Sequence, residues 1–466
     1  MHRSGFFALL LVTLPTAAHA EPISYFRADR GLAANDAQPL PDSLESPAWR
    51  VEIAPGHSTP CVYGDRIFLT TFVDEKLSTV ALGRATGKTL WKAVAPTERI
   101  ESYHPTGSPA VSTPVCDGQR LYVFFGSYGM LCYDLDGKTL WTKPMGPFQD
   151  EFGSGSSPIL VDGKLLLNED HDKDSFLIAI DPATGKTLWK TPRDGFTRSY
   201  ATPMIWDIGG RKQVIVAGAL QLTGYDLADG RALWTVDGLA RIVNTTPCAD
   251  DGRLIVATWS PGGDTDARIA MEPWADAVKK WDANGDRKLS SDECTDKDVL
   301  DRFYRIDLNQ DKGLDEAEWN KYARVFELAR NSIMSLRPST SGNPNQVELA
   351  WEYTRGIPYV ASPLLYRGVI YLAKDGGIVT TLDAATGKLL KQGRARGAGS
   401  YYASPVAGDG KVYLASDPGV VTILSADANW KILSSHDFAE RIVASPVIAD
   451  SQIFIRTEKA LYCYGK

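Results

Sequence analysis

The sequence predicts an all-β fold, an eight-bladed β-propeller of four-stranded antiparallel blades interrupted by one small α-helical insertion. Three observations predict it. Eight Ser-Pro or Thr-Pro steps, with prolines at Pro60, Pro114, Pro158, Pro203, Pro247, Pro363, Pro405 and Pro446, recur at intervals of 54, 44, 45, 44, 116, 42 and 41 residues. Each ordinary interval carries four short apolar runs, and about 44 residues with four strands fit one propeller blade. The single long interval holds one ordinary period and about 72 residues more, which marks an insertion.

In chain order, residues 1–20 read as a secretory leader. Arg3 gives the positive start, Phe6 to Leu14 the apolar stretch, and Ala18-His19-Ala20 the small-x-small cleavage site. That stretch is too short to span a bilayer. Residues 21–46 read as an extended N-terminal segment. The first part of the propeller covers 47–260 and opens on a lone outer strand, Ala48 to Ile53. The chain ends on a third-strand sequence, Ala460 to Tyr464. The first strand is therefore expected to complete the last blade, closing the ring and removing an open edge.

The join between third and fourth strands reads Asp-x-x-Thr-Gly-Lys-x-x-Trp, complete from Asp181 to Trp189 and in variants ending at Trp91, Trp141 and Trp234. Asp and Gly supply hairpin geometry. The indole is expected to wedge into the seam beside the next blade. Leu390 stands where one indole would be, and Trp430 to Leu433 is irregular, so the late repeats should pack less regularly.

Residues 261–330 change texture: the hairpins stop and charged, helix-forming sequence begins. Asp282 to Glu293 and Asp307 to Glu318 each place oxygen-bearing side chains at positions 1, 3, 5, 9 and 12 of a twelve-residue stretch. The pattern resembles the EF-hand calcium loop. It implies Ca2+ ligands at Asp282, Asn284, Asp286, the Lys288 carbonyl and Glu293, then at Asp307, Asn309, Asp311, the Gly313 carbonyl and Glu318. Leu289 and Leu314 would join the two loops by a short β-bridge. Arg287 and Lys312 stand at position 6, where the motif has Gly. A left-handed turn there costs about 1–2 kcal/mol and should weaken affinity. Residues 331–466 resume the propeller.

With 50 Lys plus Arg against 57 Asp plus Glu, the net charge of −7 argues against non-specific nucleic-acid binding. No segment after the leader is apolar enough for a membrane span, so a periplasmic or secreted location is expected. The six cysteines include no Cys-x-x-Cys-His and read as buried small hydrophobes. Loops joining each outer strand to the next inner strand should converge at the axis. They carry His57, His104, Arg198, Tyr200, Arg241, Arg355, Arg394, Arg396 and Arg441. Clustered guanidinium groups suit carboxylate or phosphate recognition. The candidate ligand-binding set is His57, His104, Arg198, Arg241, Arg355, Arg396 and Arg441. The acidic hairpin Glu169-Asp170-His171-Asp172-Lys173-Asp174 reads as a solvated turn on the same face.

The hairpin motif and eightfold count resemble the pyrroloquinoline-quinone-like (PQQ-like) β-propeller repeat family over residues 47–260 and 331–466. The start, Phe26-Arg27 through Gly56-His57-Ser58-Thr59-Pro60, looks like exported bacterial members, several of which carry EF-hands. The family includes quinoprotein dehydrogenases and an outer-membrane assembly lipoprotein, so the resemblance is specific for fold and weak for function. The adjacent-cysteine disulfide of the dehydrogenases has no counterpart here. No motif places their catalytic Asp beside an axial calcium, and the lipid-anchoring Cys of the assembly protein is missing. The resemblance implies a non-catalytic exported scaffold that recognises a protein partner or a small anionic ligand at its axial face. The alternative is a divergent quinone-dependent oxidoreductase holding PQQ.

Overall fold

A computed structural model describes residues 24–27, 38–250, 252–264 and 268–465. The leader expected over 1–20 lies outside the described residues. Eight four-stranded antiparallel sheets follow one another along the chain. The first blade consists of Cys61–Tyr63, Arg66–Val73, Lys76–Gly83 and Thr89–Val94. The eighth consists of Val447–Ala449, Gln452–Arg456 and Ala460–Tyr464, completed by Trp49–Glu52 from the start of the chain. Trp49 pairs with Cys463 and Glu52 with Ala460. The chain ends thus meet in one sheet, as their offset in the repeat required.

Burial follows position in the blade. The second and third strands are covered on both faces and are apolar almost throughout. Outer strands such as Thr187–Pro192 alternate between half-buried and exposed residues, because one face packs and one meets water. Eight apolar clusters fill the eight seams, each shared by two successive blades.

The hairpin motif builds these seams. Asp181 Oδ1 accepts the Ala183 N–H at 2.8 Å, and the Gly185 N–H closes on the Asp181 carbonyl at 2.8 Å. Gly185 sits at φ +72°, and a Cβ there would lie 2.7 Å from the Trp141 ring of the preceding blade. Trp141 Nε1 donates to the Pro182 carbonyl at 2.9 Å. Trp49, Trp91, Trp189 and Trp351 each dock in the same way on the next hairpin, on Gly87, Gly137, Gly230 and Gly387. A register shift beside Trp91, Trp141, Trp189 and Trp351, as between Ala179 and Ile180 opposite Trp189, adds the local twist that turns the indole into the seam; Trp49, at the start of its strand, has none. Trp234 differs. It rests on Gly224 of its own blade and donates to Gln213. In the sixth blade the indole position falls on Lys391 rather than on Leu390, since Lys391 pairs with Thr381 as Trp189 pairs with Ala179; the following blade sends back a buried Trp430, which packs on Gly393 and lies 4.3 Å from the Lys391 ammonium.

The fifth blade is interrupted between Leu254–Thr258 and Ser332–Pro338. Among the described residues of the gap stand four helices: α1 (Trp274–Trp281), α2 (Lys297–Leu300), α3 (Phe303–Ile306) and α4 (Glu316–Leu328). They share a core that includes Trp274, Trp281, Trp319 and Phe326. Leu289 pairs with Leu314 in a two-stranded ladder. Val325 and Ala329 pack on Leu220, and Arg305 holds Glu151 at 2.9 Å, so the helices lie against the third and fourth blades.

The calcium-binding EF-hand expectation is overturned. Among the described residues, no three His, Cys, Asp or Glu side chains are grouped so that they could hold a metal ion. In the first stretch Asp282, Asn284, Asp286 and Glu293 accept N–H groups of their own loop. In the second, Asp307, Asn309, Asp311 and Glu318 do the same. The Lys288 ammonium reaches across and pairs with Asp311, placing a fixed cation among the carboxylates. The carbonyls of Lys288 and Gly313 are therefore no part of a ligand set. Arg287 at φ 60° and Lys312 at φ 72° make the left-handed turns without glycine. The insertion is a helical module with its own apolar core.

All six cysteines are buried and unpaired. No helix among the described residues is long and apolar enough to cross a membrane.

Candidate functional site at the propeller axis

The Ser-Pro and Thr-Pro steps do more than mark the repeat. Proline opens each inner strand with no N–H of its own, and the step residue before it must place its amide elsewhere. It donates to the hydroxyl of the same step in the next blade. Thr59 donates to Thr113, Thr113 to Ser157, Ser157 to Thr202, Thr202 to Thr246, Thr246 to Ser362, Ser362 to Ser404 and Ser404 to Ser445, at 2.9–3.2 Å. Seven such links make a collar around the axis. At the eighth joint, where the chain ends meet, Arg456 bridges instead. Its guanidinium donates to the Ser58 carbonyl and hydroxyl at 2.8 and 2.7 Å and to the Thr70 carbonyl at 2.8 Å.

The collar lines a cavity of 260 Å³, walled further by Tyr200, Tyr359, Tyr402, Phe152 and Asn244. Phe26 also lines it. Ser24 exchanges backbone hydrogen bonds with Cys116 in the second blade, and Arg27 donates to the Pro363 carbonyl in the sixth at 2.5 Å. Residues 24–27 therefore cross the channel. A side chamber of 180 Å³ opens off this cavity between the first and eighth blades.

The predicted mouth residues divide into three groups. His57 and Arg441 come together in the side chamber. Burial, then the charges of Arg456 and Arg441, push the His57 imidazole down to about 3, so it is neutral. Arg441 is held by Asp417 at 2.9–3.0 Å. Arg355 and Arg396 stand exposed on the loops 354–363 and 395–405, which contribute Tyr359, Ser362, Tyr402 and Ser404 to the cavity, and no carboxylate among the described residues pairs with either. His104 is half-buried in the loop between the first and second blades, its ring 5.2 Å from that of Phe152 and its Nδ1 2.7 Å from the Thr106 hydroxyl. Arg198 and Arg241 are buried under the insertion. Arg198 holds Asp172 at 2.5 and 3.1 Å and Glu151 at 3.0 Å, and lies beneath Tyr304 of the insertion. Arg241 donates to the Pro261 carbonyl at 3.0 Å.

The acidic hairpin is not a solvated turn. Glu169, Asp170, His171 and Asp172 are all buried. Asp170 takes a bidentate pair from Arg193 at 2.6 and 2.7 Å, with both side chains fully enclosed. Beside it lies a carboxyl cluster that sequence reading missed. The Ser154 hydroxyl donates to Glu101 at 3.0 Å, and Tyr200 to Asp150 at 2.7 Å. Burial pushes Glu101 up to about 8, Asp150 to about 7 and Glu169 well above the ordinary carboxylate range. The cavity wall behind Ser154 and Tyr200 thus carries carboxyls that burial makes harder to ionise.

The sequence model of the family described as outer membrane protein assembly factor BamB matches residues 45–201, 173–294 and 343–465. Among solved structures, BamB from Moraxella catarrhalis is similar, with a TM-score of 0.56 at 11% identity over 90% of this chain and 98% of that one. The computationally designed Ika8 protein is as similar, with a TM-score of 0.56 at 8% identity over 90% and 99%. A europium-containing methanol dehydrogenase follows, with a TM-score of 0.51 at 11% identity over 90% and 93%. At such identities the likeness concerns the fold. No curated protein matches the chain. The quinone alternative gains nothing from the dehydrogenase likeness. Among the described residues no acidic grouping could hold the metal that the resemblance placed beside PQQ.

Proposed function

The chain belongs to the family described as outer membrane protein assembly factor BamB, and from that premise we propose a non-catalytic propeller scaffold, working in the periplasm or as a secreted protein, that recognises its partner at the axial face. The partner is a protein, or the anionic group of one, engaged in outer-membrane assembly. One observation carries this reading. The loops 354–363 and 395–405, which help to line the axial cavity, carry the exposed cations Arg355 and Arg396, neither paired with a carboxylate among the described residues, in a chain whose net charge is −7. Exposed guanidiniums around a concave, partly apolar mouth favour an acidic surface and speed its approach. Arg198 and Arg241 support the face from beneath by fixing the insertion beside the mouth.

The reading is tested with a photo-activated cross-linking amino acid placed at Arg355, at Arg396 and, as a control, at Leu90 on the outer rim of the first blade, in cells of the native host. Discrete adducts from the two axial positions and none from Leu90 are expected. Adducts from Leu90 alone would move the working surface to the circumference and end the axial reading.

A further inference from the structure

Arg456 is 1% exposed, and every group it donates to is neutral. Its Nε has no hydrogen-bond partner, and no carboxylate reaches it among the described residues. Of the nearby acids, Glu440 takes the Thr457 hydroxyl and faces Arg50, and Glu458 is exposed and lines the side chamber without pairing with Arg456. A full positive charge therefore sits inside the seam between the first and eighth blades with no counter-charge, whereas buried charges are ordinarily paired. Its position is built. A Cβ at residue 56 would lie 2.6 Å from Arg456 Nη2 and 2.5 Å from the Thr70 carbonyl, so glycine is what lets the guanidinium lie there.

The side chamber opens beside this charge, with Arg441, His57, Tyr103 and Ser108 among its walls. It joins the axial cavity through His57, Gly107 and Ser108, which line both. At 180 Å³ it is smaller than the roughly 300–1,000 Å³ of drug-sized ligand pockets. It suits one small group rather than a nucleotide. His57 is neutral and offers one donor and one acceptor without a competing charge. Arg441 is half-exposed and already faces Asp417, so it stands as the entrance residue.

We propose that this chamber binds a single carboxylate-sized anionic group, with Arg456 as its buried counter-charge, Arg441 at its entrance and His57 as a neutral hydrogen-bonding wall. The proposal deepens the axial-face reading and rests on it only for the origin of the anion. A free small carboxylate and the C-terminal carboxylate of a partner segment share the required chemistry.

The test uses the full chain and 13C-acetate, followed by saturation-transfer NMR and by the thermal midpoint in acetate against chloride at equal ionic strength. Acetate should bind the wild type and raise its midpoint. Binding should weaken at least tenfold in Arg456→Met. Arg441→Gln, at a partly exposed position that leaves the seam intact, should weaken it several-fold and keeps the test open if Arg456→Met does not fold. A hexapeptide acid and its C-terminal amide distinguish the origins. Binding of the acid alone assigns a partner's chain end, and acetate binding with neither peptide bound assigns a free small carboxylate. No acetate binding by the wild type, or binding unchanged in the variants, overturns the site. The cross-links at Arg355 and Arg396 report the partner separately, so the two readings fail independently.

Discussion

Two glycines of the third blade share one backbone conformation and differ only in what faces them. Gly163 lies at φ +71° with nothing within 4 Å of a built Cβ, and Gly185 lies at φ +72° with the Trp141 ring at 2.7 Å. Alanine at either position meets the same left-handed strain of about 1–2 kcal/mol. It also gains the same ~0.4–1 kcal/mol from a less flexible unfolded chain. Gly163→Ala should therefore destabilise by about 1 kcal/mol. At Gly185 the methyl must also displace an indole fixed by its bond to the Pro182 carbonyl, and overpacking of this kind costs about 1–3 kcal/mol. Gly185→Ala should lie below Gly163→Ala by that second amount. Equilibrium urea unfolding reads it as a lower midpoint at unchanged slope. Combining Gly185→Ala with Trp141→Ala should abolish the difference, since a double-mutant cycle isolates the clash. Equal midpoints for the two alanine variants would refute the claim that the indole-on-glycine contact holds the seam.

Stability should fall as pH rises through neutrality. Glu101 keeps a proton up to about 8 in the folded chain against an ordinary 4.5, and Asp150 up to about 7. Between those limits the native state binds more protons than the unfolded one, and each group lowers unfolding free energy by about 1.4 kcal/mol per pH unit. Glu101→Gln should flatten the slope of urea midpoints from pH ~5 to pH ~8, and an unchanged slope would show that Glu101 is ionised in the fold. Trp49→Ala should loosen the sheet that joins the chain ends, at a cost of about 3 kcal/mol for a half-buried indole. Cys463, paired opposite Trp49, should then become alkylated faster than Cys132, as mass spectrometry can read; equal protection would place closure elsewhere. Asp170→Asn leaves Arg193 enclosed without a counter-charge and should cost about 3–5 kcal/mol in thermal or urea unfolding. A loss below about 1 kcal/mol would mean that water reaches the pair.

What the sequence disclosed was what repeats locally. Strand period, hairpin and indole all lie within nine residues of one another, from Asp181 to Trp189, and a chemical reason attaches to each residue. The closure was legible because the two chain ends carry complementary parts of one blade. The acidic hairpin was misread for the opposite reason. Asp170 and Asp172 meet Arg193 and Arg198, 23 and 26 residues further on, and a charge run looks solvated until its partners are placed. A usable signal was present, because Arg193 and Arg198 lie in the next loop on the same face of the same repeat. The calcium expectation rested on spacing alone. Spacing does not reveal that Lys288 turns its ammonium onto Asp311, nor that the loop carboxylates satisfy their own backbone. The Ser and Thr steps were read as punctuation. Their hydroxyls lie about 44 residues apart in sequence and become neighbours only when the ring closes.

The collar also explains why chemistry collects at one joint. Seven of its links use the same pair of groups, an amide and a hydroxyl supplied by successive steps, and a repeat that satisfies itself leaves no polar group over for a ligand. The eighth joint is different by construction. It joins the last blade to the first across the chain ends, and no Ser445 amide bond to Thr59 continues the series. A guanidinium with five donors replaces one amide there, and it brings a charge that the neutral collar has no means to balance. The unbalanced cation, its adjoining chamber and the only described break in the collar's links coincide at the seam between the first and eighth blades. The other departure from the repeat, the helical insertion in the fifth blade, reaches the same face through Arg241 and Arg198. Between these two irregularities the axial mouth has the insertion on one side and the opening into the chamber, where Arg456 lies, on the other.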